Sequence, residues 1–448
     1  MACELLYIWP VTTKREEISN MNFNDYKKYL SPALSKSTDL IMEKAQGMYI
    51  TDVNGDTYLD FVQGIAVNAF GHSHPKIVQA AKDQIDKLTT ASFNMVNYPT
   101  TLELARRLSE KLPGDINSIF FSNGGSEAND GAIKLAKAYT HRPAIISFKG
   151  SFHGRSIGAT TVTSSNSKYR KYYEPMMGSV YFTTYPSKDL CPKGYDEHQR
   201  AEYCLNELQQ LFDYVVAPEM VAAILMEPVQ GEGGYVVPPV EFVKGVRELC
   251  DKHGILLILD EIQSGYCRTG KMFASEHFGV VPDIMTMGKA IAGGFPMSAI
   301  ASTEEIMSKW APGMHGTTFG GHPVCAAAGL AVLDLIEEEN ILENVNTQGE
   351  YLKSRLNEMQ KKYPIMGDVR GLGLMVAVSF QDPKDGSPSA KMLQEVAKYC
   401  LEHKMITLSC GVHGNGFRFA TALNVTREEL DKGLEIFEAA VAHAAELV

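Results

Sequence analysis

Five consecutive apolar residues, Ile255 to Leu259, run straight into two acids, Asp260 and Glu261. A run without polar alternation, flanked by helical segments, is the pattern of a strand buried on both faces of a parallel sheet. Such a strand commits the chain to a layered α/β fold, because helices have to cover both faces. Ligands in open α/β sheets bind beyond the carboxyl ends of the strands, and Asp260 stands at that end. A second short apolar strand, Asp283 to Met287, delivers Gly288 and Lys289 to the same edge. An acid and a lysine at adjacent strand ends form either a structural ion pair or part of a catalytic site. The rest of the chain decides which.

Strands and helices alternate on both sides of this pair. Met48 to Phe61 alternates around an Asn54-Gly55 turn and predicts a hairpin. A helical stretch, Lys76 to Leu88, follows. Ser118 to Phe121, Ala144 to Ser147 and Val221 to Met226 read as further short strands, the first leading through Gly124-Gly125-Ser126 into a helix. This rhythm implies a mostly parallel sheet with right-handed crossovers. Asp189 to Ala217 reads as a polar insertion with its own helix. A long helix from Val324 to Glu339 leads out of the sheet, and the segments MGDVRGLGLMVAVSF and FRFATALNVTREEL predict antiparallel strands in an α+β part. The expected division is a large α/β domain over 65–325 and a smaller domain built from 1–64 and 326–448.

The formal net charge of −11 and the lack of a basic run argue against nucleic acid as a partner. The eight cysteines are scattered without CxxC spacing, which fits a reducing cytoplasm better than a disulfide framework or a zinc site. His72 and His74 have no further ligands at useful spacing, so they read as loop-shaping residues and no metal is expected. No stretch is long and apolar enough to span a membrane. The start, MACELLYIWPV, carries Glu4 and no basic leader; it reads as a disordered or dimer-draping arm, not as a signal peptide.

Four features bear on the strand-end pair. Gly125 and Ser126 open a helix, where backbone N–H groups and the helix dipole hold a dianion. Phe152 and His153, in Phe152-His153-Gly154-Arg155, follow the neighbouring strand, where an aromatic can cover a planar ring. Asp260 can keep a pyridine nitrogen protonated, and Lys289 supplies an amine. His315 to Gly321 adds hydroxyls and flexible backbone suited to a further phosphate contact. Each has a bland account alone: a common glycine turn, a core aromatic, a salt bridge. Together, on strand ends of one α/β unit, they point to pyridoxal phosphate (PLP).

The motifs SNGGSEAN, FHGR, EPVQGEGG, DEIQSG with RTG, GKAIAGG, and TTFGG followed by Pro323 resemble those of the class III (subgroup II) aminotransferases. These are fold type I PLP-dependent transferases, and the resemblance runs from about Gly47 to Ala440. Within the family the chain is most similar to the 4-aminobutyrate branch. The resemblance implies Lys289 as the lysine bonded to the cofactor, Asp260 on its ring nitrogen, and Gln263 near its phenolic oxygen. It implies Gly125 and Ser126 on the phosphate and Phe152 against the ring. Thr318 is expected to reach the phosphate of the partner subunit's cofactor, which makes a homodimer, with a tetramer as a further option, the expected assembly. Arg155 resembles the arginine for the carboxylate remote from the reacting amine. Arg418 resembles the one for the α-carboxylate, with Glu232 as its switchable partner, and Ile65 lines the pocket.

The chain departs from the family pattern at four places. His322 stands where asparagine is frequent, Gly124 where serine is usual, Cys267 where glycine is common, and Ala420-Thr421-Ala422 where a proline-containing segment is usual. The expected reaction is ping-pong transfer of an amino group from an ω-amino acid such as 4-aminobutyrate to 2-oxoglutarate. The alternatives are a racemase or epimerase on the same scaffold, or an acetylornithine/ornithine-type aminotransferase. A non-catalytic PLP-binding regulator is disfavoured by the retention of Lys289 and the lack of an added DNA-binding domain.

Overall fold

The structure, a computed structural model, describes residues 21–447. The arm expected at the extreme N-terminus lies outside the described residues. The chain first builds an antiparallel meander, β1 (Met42–Gln46), β2 (Tyr49–Asp52) and β3 (Thr57–Asp60). The β2–β3 turn is the expected one. Asp52 Oδ1 accepts from the backbone N–H groups of Asn54 and Asp56, both at 2.9 Å, and so closes the loop with its own side chain.

The central sheet has seven strands: β4 (Ser118–Ser122), β5 (Ala144–Phe148), β6 (Val180–Thr183), β7 (Val221–Met226), β8 (Leu256–Asp260), β9 (Ile284–Met287) and β10 (Ser298–Ser302). Their spatial order is β4-β10-β9-β8-β7-β5-β6. All neighbours are parallel except β10, which runs antiparallel to both β4 and β9. Every residue of β5, β7, β8, β9 and β10 is buried. Burying a Leu or Ile side chain stabilises by about 1.5–3 kcal/mol, so these unbroken apolar runs are the main store of stability in the sheet. Strand β10, with the sequence SAIAS, has too little apolar bulk to stand out as a strand in the sequence.

The segment expected as a polar insertion is instead one of the helices covering the sheet. Helix Glu197–Tyr214 opens with a capping box between Asp196 and Gln199. It buries Ala201, Cys204, Leu208 and Phe212, a stripe at helical spacing, into a core shared with β7 and helix Val240–His253. Its exposed face carries enough charge to hide that stripe in a composition-based reading.

After the central sheet, helix Pro323–Glu338 begins with a proline at its first turn and packs on helices Pro75–Ile85 and Pro99–Ser109. The C-terminal part forms β11 (Met366–Leu372), β12 (Met375–Phe380), β13 (Met405–Ile406), β14 (Leu408–Cys410) and β15 (Gly416–Phe419). An antiparallel sheet of order β11-β12-β15-β14 bears out the expected strands, while β13 leaves it to pair in parallel with β3. The N-terminal meander therefore ends on a strand from near the C-terminus. This is the α/β architecture anticipated from the alternation of elements. His72 and His74 hydrogen-bond to different carboxylates, Asp60 at 2.7 Å and Glu339 at 3.0 Å. Among the described residues no helix is long and apolar enough to cross a membrane.

Candidate active site

The carboxyl ends of β4, β5, β7, β8 and β9 surround a cavity of about 820 Å³. Its floor is a network of buried polar groups hydrogen-bonded to one another. Asp260, at the end of β8, is buried, and its Oδ2 accepts from Asn129 Nδ2 and His153 Nδ1, each at 2.8 Å. Asn129, on helix Gly125–Thr140, also donates to the His153 carbonyl at 2.7 Å and accepts from Thr286 Oγ1 on β9 at 2.8 Å. The amide is thereby held with its NH2 toward the carboxylate. A carboxylate only accepts, so His153 carries its proton on Nδ1; its buried Nε2 has no partner among the described residues.

Glu261, the second acid of the pair, turns away from the cavity. It accepts from Ser264 Oγ at 2.5 Å and from the Ala274 and Ser275 N–H groups at 3.1 and 2.8 Å, and so braces the following loop. Glu227, after β7, lines the cavity and accepts from the N–H groups of Phe152 at 2.9 Å and Gly231 at 2.7 Å. Burial pushes its carboxyl up to about 7, against the pull of His153 and these two donors.

Lys289 begins a single 3-10 turn, Lys289–Ala292, after β9, with φ of 45°. A non-glycine residue in the left-handed region costs on the order of 1–2 kcal/mol, strain that recurs at functional sites. Its side chain lines the cavity, where burial first and Arg418 second bring its amine down to about 8, opposed by Asp260, Glu227 and Glu232. An amine in that range supplies both protonation states near neutral pH.

The cavity mouth comes from segments far apart in sequence. Gln63 to Ala66 form a left-handed turn, with φ of 50°, 64°, 64° and 62°, anchored by the Gln63 N–H and Nε2 on Asp60 Oδ1 and O at 3.1 and 3.0 Å. The turn presents Ile65, 45% exposed, at the cavity rim. Arg418, in β15, is buried and donates from Nη2 to Glu232 Oε2 at 3.0 Å. Tyr169 OH donates to Glu232 Oε1 at 3.2 Å. Arg155 is exposed, with its guanidinium carbon 4.5 Å from the centre of the Tyr169 ring and, among the described residues, no carboxylate partner. Phe152 meets the same ring edge-on at 5.5 Å.

A family model, aminotransferase class III, matches residues 31–441. The chain belongs to the class III aminotransferases. This aminotransferase is 40% identical over 400 residues to 4-aminobutyrate aminotransferase GabT of Escherichia coli (strain K12), a match spanning 89% of this chain and 92% of that protein. It is 36% identical over 421 residues to the alanine/serine racemase of Pyrococcus horikoshii, spanning 93% of this chain and 88% of the racemase. Among solved structures it matches a PLP-bound amine transaminase from an uncultivated Pseudomonas species with a TM-score of 0.86 and 30% identity, over 93% of this chain and 99% of that one.

Class III aminotransferases depend on PLP, and the cavity fits that group. Helix Gly125–Thr140 opens onto it, and a Cβ on Gly124 would meet nothing within 4 Å, so the helix start faces open space. Gln263 lines the same space with a buried Oε1 that has no partner among the described residues. Gly154, at φ of 134°, lets the loop after β5 lie directly on the helix start, because a Cβ there would collide with Ser126. The donor set therefore offers a place for an anion, a fixed carboxylate and an amine in one enclosure.

Of the residues singled out from the sequence, Ile65, Gly125, Ser126, Phe152, His153, Arg155, Glu232, Asp260, Gln263, Lys289 and Arg418 all line this one cavity. Thr318 does not. It is exposed and lies outside the cavity of its own chain, while its neighbour Thr317 accepts from Asn123 Nδ2 at 2.9 Å. Sequence reasoning assigned no role to Asn129, Glu227 or Tyr169. The first two sit inside the quoted motifs SNGGSEAN and EPVQGEGG and could have been taken up there. Tyr169 lies in a 3-10 turn, Ser167–Tyr169, with no local signal at all.

Proposed function

We propose that this aminotransferase moves an amino group from an ω-amino acid of the 4-aminobutyrate type to 2-oxoglutarate by a ping-pong mechanism. The observation that carries this reading is the Glu232–Arg418 ion pair at 3.0 Å, set in the same cavity as the carboxylate-free Arg155. Arg binds carboxylates bidentately and is always charged. An enzyme handling both a diacid and an amine without an α-carboxylate needs one arginine neutralised on demand, and Glu232 is the group that does so.

In this reading the N–H groups of Gly125 and Ser126 hold the cofactor's phosphate, and Phe152 walls its ring. His153 and Asn129 hold Asp260 oriented for the ring nitrogen, while Gln263 serves the phenolic oxygen. The bound cofactor supplies an electron sink that makes the C–H bond beside the amine ionisable. Lys289 takes that proton on Nζ as a general base and returns it as a general acid, a task suited to an amine brought down to about 8. Arg155 binds the distal carboxylate of both substrates. Thr318 of each subunit serves the other's phosphate in a homodimer.

An amino-donor panel with 2-oxoglutarate, reading glutamate, tests the assignment. 4-Aminobutyrate or 5-aminovalerate should lead, and a panel led by acetylornithine or a diamine would overturn the donor class. The racemase relative supplies the second reading. In deuterated water with an amino acid and no keto acid, the aminotransferase should complete one half-reaction and stall. Sustained racemisation as the dominant activity would replace transfer by racemisation.

A further inference from the structure

Tyr169 touches both charged ends of the substrate site. Its hydroxyl donates to Glu232 Oε1, while Glu232 Oε2 holds Arg418. Its ring carries the Arg155 guanidinium on one face, 4.5 Å from the ring centre, and meets Phe152 edge-on. Burial and the nearby Glu232 raise the phenol above its usual range, so the hydroxyl remains a donor at neutral pH. A donor to a carboxylate favours the conformation in which that carboxylate stays put. A cation on an aromatic face is held with little entropy loss, because the ring has only two rotatable bonds.

We infer that Tyr169 is the positioning residue that sets which substrate form the site prefers: its hydroxyl latches Glu232 onto Arg418, and its ring aims Arg155 at the distal carboxylate. The inference rests on the two-arginine reading above and adds to it the group that biases the switch. With the latch engaged, Arg418 is neutralised and the site suits an ω-amino monoacid. Without it, Glu232 leaves more readily and the site suits a diacid. No chemical step involves Tyr169 itself.

The test is the ratio of single-turnover rates for the 4-aminobutyrate and glutamate half-reactions, in wild type, Tyr169→Phe, Tyr169→Leu and Glu232→Ala. Losing one partly solvated hydroxyl–carboxylate bond shifts such a balance by about tenfold. Tyr169→Phe should therefore lower the 4-aminobutyrate/glutamate ratio by about that factor, in the same direction as Glu232→Ala and by less. Tyr169→Leu should lower the ratio similarly and also weaken both half-reactions, because Arg155 loses its platform; Phe then rescues what Leu loses. A second readout needs no turnover. Calorimetric binding of glutarate relative to butyrate should rise in Tyr169→Phe, as a freed Arg418 takes the second carboxylate. A Phe variant with the wild-type ratio, beside a Glu232→Ala that shifts it, would overturn the latch alone. A Glu232→Ala that leaves the ratio where it was would overturn the two-arginine reading, and the latch with it.

Discussion

The floor and the mouth of the cavity are built on opposite terms. At the floor, Asp260, Asn129, His153 and Thr286 come from regular strands and a helix of one sheet or the loop beside it. They are buried, and they bond to one another at 2.8 Å. At the mouth, Ile65, Arg155, Tyr169, Glu232 and Arg418 come from a left-handed turn, two loops, a 3-10 turn and the C-terminal sheet, and several reach solvent. A desolvated network whose members hydrogen-bond to one another holds one geometry, because breaking any of these bonds leaves a further buried polar group unpaired. Glu232 is partly solvated and sits on a loop, so it can move at little cost provided another carboxylate takes its place on the buried Arg418. The floor is suited to holding one cofactor in one way, and the mouth to accepting two substrates in turn.

The contrast predicts losses that diminish from floor to mouth. Lys289→Ala should be the most severe, lowering turnover by about 10⁴-fold or more, since it removes both roles proposed for this lysine, covalent anchor and proton carrier. Borohydride reduction of the yellow holoenzyme should fix the cofactor to Lys289 in peptide mapping; a label on another lysine ends the assignment. Asp260→Asn should keep bound cofactor yet lower proton abstraction by about 10²-fold or more, because a neutral pyridine is a poor electron sink. Near-normal turnover there would make the buried network merely structural.

At the mouth, Arg155→Ala should impair both half-reactions by about thirty- to several thousand-fold, the cost of losing a bidentate carboxylate partner. Glu232→Ala and Arg418→Ala should split them, the first hurting the 4-aminobutyrate half-reaction and the second the glutamate one, each by about tenfold or more. Equal damage to both would turn the ion pair into a simple structural bridge and erase the distinction drawn here. The smallest effect is in pH. Lys289 is brought down to about 8, so its neutral form grows as pH rises through that value. Capture of PLP by the apoenzyme should accelerate between pH 7 and 9 and level off above it. A profile still climbing at pH 10 would mean the amine is not desolvated.

Half of the floor was legible in the sequence, because Asp260 and His153 follow apolar runs that local patterning marks, whereas Asn129, within a helix, and Thr286, within a strand, were given no role. Asp260 follows Ile255–Leu259 directly, and Lys289 follows Asp283–Met287. The mouth was legible only through resemblance. Arg418 lies in a β-strand of the C-terminal sheet, and nothing near it in sequence announces a partner 186 positions away. Tyr169 gave no signal, since a tyrosine in a short polar turn is ordinary until its neighbours in space are known.

What the sequence determined by itself was the α/β layering and the strand ends that bring Asp260 and Lys289 to one edge of the sheet. These follow from local patterning, where each apolar run chooses its environment independently of the others. Only the tertiary structure decided that Glu261 turns away to brace the following loop, and that helix Glu197–Tyr214 belongs to the core. It alone put Tyr169 between Glu232 and Arg155. Those outcomes depend on which backbone donors and apolar faces are left unsatisfied once all the layers are packed, a condition that no segment carries in its own sequence.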